Sequence, residues 1–407
     1  MNWMNIPKSY FEPLGYEVEF TLTVEQTSEK LRNCLYGGFI DGEINGETAV
    51  LDSVYKVKGL SDKYIIDSNS ESMDDQEIGW VYEELSKYGI DQSNSIILTN
   101  NVKISKYDNM VTFPFIFFRW LTIWQSNQHF PYVPYSKEYI EKLKSYRKPH
   151  KFMALNGEVK EQRMYLCQEL HRKGYDKEGL VSLMDNGNLD VKFYKEHFDE
   201  RRFPMFWDEG NKFSEVYNTY YIDYPYEFDM EYFSKLPFLL DTVPSENNWT
   251  PNPKYWSDDD NFATNLSIPK QFIEDCYLQF TSETTFFSSD GKWHHKMDSI
   301  SEKTYKSILF HPSLIFGSSG NLPLLKSYGF KTFSPVLDES YDEVKSDSDR
   351  FWTLFKEIDR LMSLSKDDLH ELFVESLPII LYNQNVMYET KHEDVLIKLH
   401  EDIKKLS

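Results

Sequence analysis

The stretch CYLQFTSETTFFSSDGKWHHKMDSISEKTYKSILFHPSLIFGSSGNLPLLKSYGFKTF, residues 276–333, decides the fold. Its apolar runs CYLQF and SLIF are short and rich in aromatic and branched side chains, as strands are. The segments SEKTYKSILF and GNLPLLKSYG predict helices, and FKTF at residues 330–333 predicts a third strand. Strands that alternate with helices are typical of an α/β protein with a parallel sheet.

The same alternation extends upstream of this stretch. KFMAL, residues 151–155, predicts a strand, NGE predicts a tight turn, and VKEQRMYLCQELHRKG predicts a helix that ends at Gly174. Nearer the N-terminus, YIID and SIILTN predict strands on either side of the helix EIGWVYEELSKYGI, which ends at Gly89. A hairpin with Asn45-Gly46 as its turn is predicted within residues 37–55. The chain is therefore expected to contain two α/β units.

The boundary between these units is predicted near PYVPYSKEYIEKLKSYRKPHK, residues 131–151, where prolines and a basic run interrupt an acidic background. It divides the chain into a first domain, residues 1–145, and a second domain, residues 146–407. Residues 190–262 have poor periodicity and predict irregular connections. Helices predominate from residue 349, and we expect the final helices to pack back onto the first domain.

The composition limits the classes of function. Aromatic residues make up 16% of the chain, which is too many for a disordered protein. The 44 basic and 66 acidic residues give a formal net charge of -22, and this charge argues against non-specific binding to nucleic acid. Three widely separated cysteines, Cys34, Cys167 and Cys276, fit neither a disulfide framework nor a metal cluster.

The sequence also predicts a soluble protein of the cytoplasm. The N-terminal residues lack the basic and apolar regions of a signal peptide. The most apolar stretch, residues 110–124, is too short to cross a bilayer as a helix and contains Pro114 and Arg119. We therefore expect no association with a membrane.

Polar residues follow the predicted strand CYLQF and begin the next predicted helix. Glu283 lies just after the strand, and Ser301, Glu302 and Lys303 lie at the start of the helix. A helix N-terminus attracts anions through its unpaired N–H groups and its dipole, and Lys303 would add a positive charge. Open α/β sheets bind ligands at this edge. The pattern indicates a site for an anion such as a diphosphate.

Two interpretations of Glu302 stay open at this point. Ser299 and Glu302 match the S-x-x-E capping box, in which the glutamate only bonds back to the start of the helix. Alternatively, the carboxylate accepts hydrogen bonds from hydroxyl groups of a ligand. Gly317 and Gly320 are equally open, either as turn residues or as positions where a phosphate approaches the backbone.

Other polar groups give no metal site. Asp338, Glu339 and Asp342 form an acidic group that a solvated loop explains better than a cation site. The Asp-x-Asp pattern at residues 347–349 precedes a helical run, so capping of that helix explains it better. The adjacent His294-His295 would point in opposite directions in an extended chain. We therefore predict no essential metal.

The order of these motifs resembles the donor site of the α-1,3-fucosyltransferases over roughly residues 150–345. Members of that family have a Phe-Glu-Asn-Ser segment and, after a loop, Ile-Thr-Glu-Lys. The matching residues here are Ser282 and Glu283 in FTSET and residues 300–303 in ISEKTYK, whereas Thr284 stands in place of the family's Asn. The combination of ISEKTYK, GFKTF and DESYD also resembles proteins of bacteriophages and large viruses.

The resemblance implies a fold and an activity. The fold would be GT-B, in which two Rossmann-like α/β domains face each other across a cleft. The second domain would bind a nucleotide-sugar donor, and the first domain would bind a glycan or another hydroxyl acceptor. Sugar transfer would need no metal and no cofactor besides the nucleotide-sugar as co-substrate.

The resemblance also implies roles for single residues. Lys303 and Arg163, which lies in the helix after KFMAL, would bind the donor phosphates. Glu302 would contact the ribose or the transferred sugar. Asn156, Glu283 and Ser301 complete the predicted donor site. Glu71, just after the YIID strand, is the candidate catalytic base that deprotonates the acceptor hydroxyl.

Two other classes of function stay open. The chain could keep the fold without turnover, as a viral structural or binding protein. It could also glycosylate modified bases in DNA, although the net charge of -22 weighs against that activity.

Overall fold

The computed structural model describes residues 10–20, 53–68, 75–100, 107–114, 133–157, 161–183, 268–284 and 300–407, with isolated positions between 117 and 125, between 225 and 254, and at 286. The strands are β1 (Glu17–Phe20), β2 (Ser53–Lys58), β3 (Ser61–Ser68), β4 (Ser95–Thr99), β5 (Met110–Thr112), β6 (His150–Asn156), β7 (Leu180–Leu183), β8 (Thr242–Pro244), β9 (Trp249–Pro251), β10 (Cys276–Ser282) and β11 (Ser313–Phe316). The helices are α1 (Asp75–Leu85), α2 (Lys137–Ser145), α3 (Glu161–Arg172), α4 (Met230–Phe233), α5 (Lys270–Asp275), α6 (Glu302–Ile308), α7 (Asn321–Ser327), α8 (Asp347–Ser363), α9 (Lys366–Glu389) and α10 (His392–Leu406).

The first sheet is mixed, with the order β1-β2-β3-β4-β5. β1, β2 and β3 are antiparallel neighbours, whereas β3, β4 and β5 run parallel. The turn from β2 to β3 uses Gly59 at a φ of +76°, a conformation that glycine adopts without a steric penalty. The predicted strands YIID and SIILTN are confirmed as β3 and β4, and the predicted helix between them is α1.

Helices cover both faces of the first sheet. α1 packs on one face through apolar side chains that meet those of β2, β3 and β4. α10 packs on the other face through Leu396, Leu399 and Ile403. At the end of this helix, Lys63 Nζ donates a 2.6 Å hydrogen bond to the carbonyl oxygen of Leu406. The last helix of the chain therefore completes the core of the N-terminal sheet.

The second sheet is parallel throughout, with the order β11-β10-β6-β7. From β6 the chain crosses to β7 on one side and later returns to β10 on the other side. The direction of strand addition therefore reverses between β6 and β10. At such a reversal the flanking helices lie on opposite faces of the sheet and leave a crevice at the carboxyl ends of the two strands.

One face of the second sheet is covered by α3 and α8. Phe152 of β6 stacks on Phe280 of β10 on this face, with ring centroids 4.6 Å apart. Phe351 of α8 contacts both Phe316 of β11 and Tyr165 of α3. Every second side chain of the strands points to this face, and the aromatic ones among them pack against aromatic side chains of α3 and α8.

The opposite face of the second sheet is covered by α6 and α9. Tyr277 of β10 contacts Phe373 of α9 edge to face, at 6.2 Å between ring centroids. Asn383 of α9 donates a 3.3 Å hydrogen bond to the carbonyl oxygen of Ile308 at the end of α6. The predicted α/β class is confirmed, because a parallel sheet lies between two layers of helices.

The predicted strand FKTF is wrong. Residues 330–333 form no strand, although Phe330 and Phe333 are buried. Turns and side chains, instead of a neighbouring strand, satisfy the backbone groups of this segment, and Phe330 N donates to Leu325 O at 3.3 Å. Lys331 N donates to Asn383 Oδ1 at 2.8 Å, and Phe333 N donates to Glu339 Oε1 at 2.6 Å. A buried extended segment needs no sheet when side chains supply these partners.

The segment predicted as a linker contains a helix. α2 begins after Ser136, whose hydroxyl oxygen accepts a hydrogen bond from Tyr139 N. Its lysines lie on the exposed side, and Leu143 packs in the core of the second sheet. The predicted hairpin turn Asn45-Gly46 lies outside the described residues. Among the described residues, no helix is long and apolar enough to cross a membrane.

Candidate functional site

Most of the predicted site residues lie at the reversal between β6 and β10. Asn156 ends β6, and Arg163 lies in α3, the helix that follows β6. Glu283 directly follows β10, and Ser301 to Lys303 begin α6, the helix that follows β10. The topology brings these residues to one edge of one sheet. Glu71, the predicted base, lies outside the described residues.

Glu283 joins the end of β10 to the start of α6. Its side chain is 1% exposed. One carboxylate oxygen, Oε1, accepts hydrogen bonds from Ser301 N at 3.2 Å and from the hydroxyl of Thr304. The other oxygen, Oε2, accepts from the hydroxyl of Ser301 and from Thr284 N at 3.3 Å. The N-terminus of α6 therefore binds the carboxylate of Glu283. The sequence predicted instead that this helix N-terminus would be free to bind an anionic ligand.

The capping-box interpretation of Glu302 is wrong. The helix begins at Glu302, and its N-cap is Ser301, whose hydroxyl oxygen accepts from Lys303 N at 3.3 Å. Glu302 is thus the first helical residue instead of the third, so it cannot reach back to a cap at Ser299. Glu283, which lies 18 residues before Ser301, takes the role that a capping-box glutamate would have.

Among the described residues of this edge, Glu302 and Lys303 are partly accessible charges, with side chains 21% and 26% exposed. Lys303 Nζ lies 2.8 Å from Glu302 Oε1 and donates a 3.4 Å hydrogen bond to the hydroxyl oxygen of Thr284. Burial raises the pKa of Glu302, but the charges of Lys303 and Lys306 and its hydrogen bonds outweigh burial and hold that pKa below its usual value. Glu302 is therefore a carboxylate that can accept hydrogen bonds from hydroxyl groups.

Arg163 is buried at the same edge, with 2% of its surface exposed. Its guanidinium lies 3.4 Å from the carbonyl oxygen of Ser282 and 3.5 Å from that of Glu283. The neighbouring Gln162 Nε2 donates to the carbonyl oxygen of Glu283 at 3.2 Å. The first turn of α3 thus holds the end of β10 and places a positive charge beside it.

Asn156 has a fixed side-chain orientation. Its Nδ2 donates to the carbonyl oxygen of Ser182 at 3.1 Å and lies 3.5 Å from that of Ala154. Its backbone N donates to the hydroxyl oxygen of Ser182 at 3.2 Å. Because the carbonyl oxygens of Ala154 and Ser182 can only accept hydrogen bonds, the amide nitrogen of Asn156 must face them, and Oδ1 therefore faces the other way.

Sequence reasoning missed Arg350, which is fully buried in the first turn of α8. Its guanidinium donates to Gly317 O at 3.1 Å, to Phe286 O, and to Asp347 Oδ1 at 2.6 Å. One side chain therefore fixes the loop after β10 and the loop after β11. The pair Asp347 and Arg350, three residues apart in a helical run, was the available signal.

The DESYD residues have structural roles. Asp342 accepts hydrogen bonds from the N–H groups of Asn321 and Leu322 at the start of α7. The hydroxyl of Tyr341 accepts from Ile315 N of the edge strand β11 at 3.2 Å. Glu339 bonds to the backbone of Phe333. Among the residues that the structure describes, no group of acidic, histidine or cysteine side chains could hold a metal ion.

The two open glycines also have structural explanations. A Cβ atom at Gly317 would lie 2.2 Å from Asn321 Nδ2, so a larger residue here would require the buried Asn321 side chain to move. Gly320 has a φ of +95° and precedes α7 as its N-cap. His294 and His295 lie outside the described residues.

An open groove of about 500 Å³ lies at the opposite edge of the second sheet. Its lining includes Lys144, Arg147, His370 and Glu371 and none of the predicted site residues. Arg147 lies 3.3 Å from Asp367, and Lys144 lies 2.7 Å from Glu141. Because this groove lies away from the carboxyl ends of the strands, where open α/β sheets bind ligands, it is a weaker candidate than the edge between β6 and β10.

Searches of protein-family models, curated proteins and solved structures gave no match to this chain.

Proposed function

We propose that the protein is a metal-independent glycosyltransferase that binds a nucleotide-sugar at the carboxyl edge of β6 and β10. The observation that supports this proposal is the convergence of Asn156, Arg163, Glu302 and Lys303 at the reversal of the parallel sheet. Open α/β sheets bind nucleotides at such reversals. The two cations come from the two helices that flank the crevice, which suits a diphosphate.

The proposed reaction requires positive charge and a base. A departing nucleoside diphosphate gains negative charge, and cations that are already in place stabilise it. Lys303 would bind the diphosphate directly. The buried Arg163 would stabilise the negative charge of the diphosphate electrostatically, without contacting it. The acceptor hydroxyl needs a carboxylate to remove its proton, and we assign this role to Glu71 of the first domain. In this proposal the two domains have the GT-B arrangement, with the acceptor bound on the side of the first sheet.

A second candidate function is binding without turnover, and the engagement of the site's charges favours it, because cations that are already paired stabilise a departing diphosphate less. Lys303 is paired with Glu302, and Arg163 contacts carbonyl oxygens of β10 and the residue after it. The carboxylate of Glu283 already occupies the start of α6. A nucleotide would have to displace the Lys303–Glu302 pair. Measurement of nucleotide-sugar hydrolysis separates the two candidates, since a binding protein would retain the ligand intact.

The proposal is tested by calorimetric titration with a panel of nucleoside diphosphates. The Lys303→Ala variant should bind the best ligand about 1.5–3 kcal/mol more weakly, the range for a hydrogen bond to a charged group. Lys326→Ala is the matched control, because Lys326 is an exposed lysine on α7, the helix after the next strand. Equal affinities of the wild type and Lys303→Ala would overturn the donor site.

Turnover should survive excess EDTA. Lys303 and Arg163 would take the charge that a divalent cation neutralises in metal-dependent transferases. Loss of activity in EDTA and its recovery with manganese would contradict the metal-independent mechanism.

A further inference from the structure

On the face of the second sheet covered by α3, two buried oxygen atoms at the carboxyl edge have no hydrogen-bond partner among the described residues. They are Oδ1 of Asn156 and the hydroxyl oxygen of Ser282, and the two residues are 1% and 2% exposed. A buried polar atom without a partner costs roughly 1–3 kcal/mol, so native proteins rarely retain one without a reason. A ligand that supplies the missing bonds is one such reason.

The two oxygens belong to neighbouring strands and to the same face of the sheet. Gln279 of β10 pairs with Met153 of β6, and this register places Ser282 opposite Asn156. Phe280, two residues before Ser282, stacks on Phe152, four residues before Asn156, on the face covered by α3. Because side chains alternate along a strand, Ser282 and Asn156 also lie on this face, with their Cβ atoms roughly 5 Å apart.

This pair straddles the reversal point, and α3 lies above it. Arg163 of α3 contacts the carbonyl oxygen of Ser282, and Cys167 of the same helix lies 3.7 Å from Asn156 Nδ2. The pair therefore lies beneath the first turns of α3, at the sheet edge where the proposed nucleotide binds and beside a positive charge. Ser282 and Asn156 are the last residues of their strands, which is the position from which side chains reach a bound ligand.

The chemistry of the pair selects a hydroxyl group over a phosphate. The Asn156 amide cannot rotate its nitrogen outward without losing the carbonyl oxygens of Ser182 and Ala154. It therefore offers only an acceptor to a ligand, and a phosphate oxygen has no proton to donate to it. The Ser282 hydroxyl both donates and accepts. Two adjacent hydroxyl groups on a ligand would satisfy both atoms, since each hydroxyl can donate and accept.

We propose that Asn156 and Ser282 form a subsite for the ribose diol of the bound nucleotide, which leaves the diphosphate to Lys303. This inference rests on the proposed nucleotide site, and it identifies the residues of that site that would recognise the ribose. A desolvated polar pair discriminates strongly against a ligand that lacks the hydroxyls, because the pair is then left unsatisfied.

The test is the Ser282→Ala variant with Thr281→Val as its matched control. Thr281 is the preceding residue, its hydroxyl is equally buried and without a partner among the described residues, and it lies on the opposite face of β10. Both substitutions remove an unsatisfied hydroxyl, so neither should lower the melting temperature. Calorimetry with the tightest-binding member of a GDP, UDP, ADP and CDP panel should show about tenfold weaker binding to Ser282→Ala and unchanged binding to Thr281→Val.

The ligand is varied in the same titrations. The 2′,3′-dideoxy form of the nucleotide should bind wild type about tenfold more weakly than the ribose form, and this difference should shrink in Ser282→Ala. Equal affinity of Ser282→Ala and wild type, or an undiminished preference for ribose in the variant, would overturn the diol subsite while leaving the nucleotide site in place. Failure of wild type to bind any diphosphate of the panel would overturn both proposals.

Discussion

The two sheets of this protein differ in how their strands are ordered, and this difference locates the candidate site. In the first sheet the five described strands lie side by side in chain order, and α1 and α10 cover its two faces. In the second sheet strand addition starts at β6, proceeds to β7 and then reverses to β10. Only a reversal places consecutive helices on opposite faces and opens a crevice at the strand ends. The polar and charged candidates gather at that crevice.

The sheets also differ in what completes their cores. The first sheet depends on a helix from the far end of the chain, since Leu396, Leu399 and Ile403 lie in its core cluster. The second sheet is completed by helices that follow its own strands and by α8 and α9. Val395 of the same C-terminal helix also packs against the core of the second sheet, so loss of the last helix should affect the first sheet more strongly than the second.

The largest expected effect follows from deletion of residues 391–407. Burial of each large aliphatic side chain stabilises by about 1.5–3 kcal/mol, so the loss of Leu396, Leu399 and Ile403 should cost roughly 5–9 kcal/mol. Amide hydrogen exchange should accelerate in β2, β3 and β4 and change much less in β6 and β10. Nucleotide affinity should change little.

A point variant controls this deletion. Ile397 lies on the exposed side of the same helix, and Ile397→Ala should change the free energy of unfolding by less than about 0.5 kcal/mol. If the deletion accelerated exchange equally in both sheets, the two sheets would form one cooperative unit and the comparison would fail.

The next effect concerns Glu283, which ties β10 to α6. The Glu283→Ala variant loses four hydrogen bonds to a charged group, each of which contributes about 1.5–3 kcal/mol. Because bonds within one network are not additive, its free energy of unfolding should fall by at least about 3 kcal/mol. Glu302→Ala removes the same charge from a partly exposed position paired with Lys303 and should cost about 1 kcal/mol or less. Urea denaturation of both variants measures the difference. A larger loss in Glu302→Ala would show that the roles of the two glutamates are exchanged.

This pair of glutamates shows what the sequence could predict about the site. The gathering of Glu283, Ser301, Glu302 and Lys303 was predictable, because a strand followed by a helix brings these positions to one edge. Which glutamate caps the helix was not predictable from local pattern. Ser299 and Glu302 matched the motif, but the N-cap is Ser301, and the glutamate that bonds to it follows a strand and lies 18 residues earlier in the chain.

The fold shows the same limit. Strands with strong local signals, such as YIID, SIILTN, KFMAL and CYLQF, are present in the structure. FKTF has the same alternation, but the side chains of Asn383 and Glu339 satisfy its backbone. These partners lie 52 and 6 residues away from the residues that they bind, and one belongs to a helix. Periodicity reports burial, and it does not report which groups complete the backbone hydrogen bonds.

A smaller effect is expected at the opposite edge of the second sheet, where Lys148 is buried. Its Nζ donates to the carbonyl oxygens of Ile273 and Glu274 at 2.8 and 2.6 Å. Burial disfavours the ammonium and lowers the pKa of Lys148 to about 7. Above that pH the unfolded chain holds a proton that the folded protein has released, so this group makes stability rise with pH. Between pH 7 and 9 its contribution should be about 2 kcal/mol.

The Lys148→Met variant measures that contribution. The free energy of unfolding of wild type minus that of the variant should increase from pH 7 to pH 9, while nucleotide affinity stays the same in both proteins. A constant difference in stability would show that Lys148 remains charged in the folded protein. A matching change in affinity would contradict the separation of the two edges.

The most direct test of the central claim is amide hydrogen exchange of the intact protein with and without a saturating nucleoside diphosphate. If the ligand binds at the reversal between β6 and β10, exchange should slow in residues 150–157, 276–284 and 300–309. Residues 53–68 and 95–99 of the first sheet, and residues 370–375 beside the opposite groove, should exchange at unchanged rates. Protection confined to the first sheet or to that groove would contradict the account.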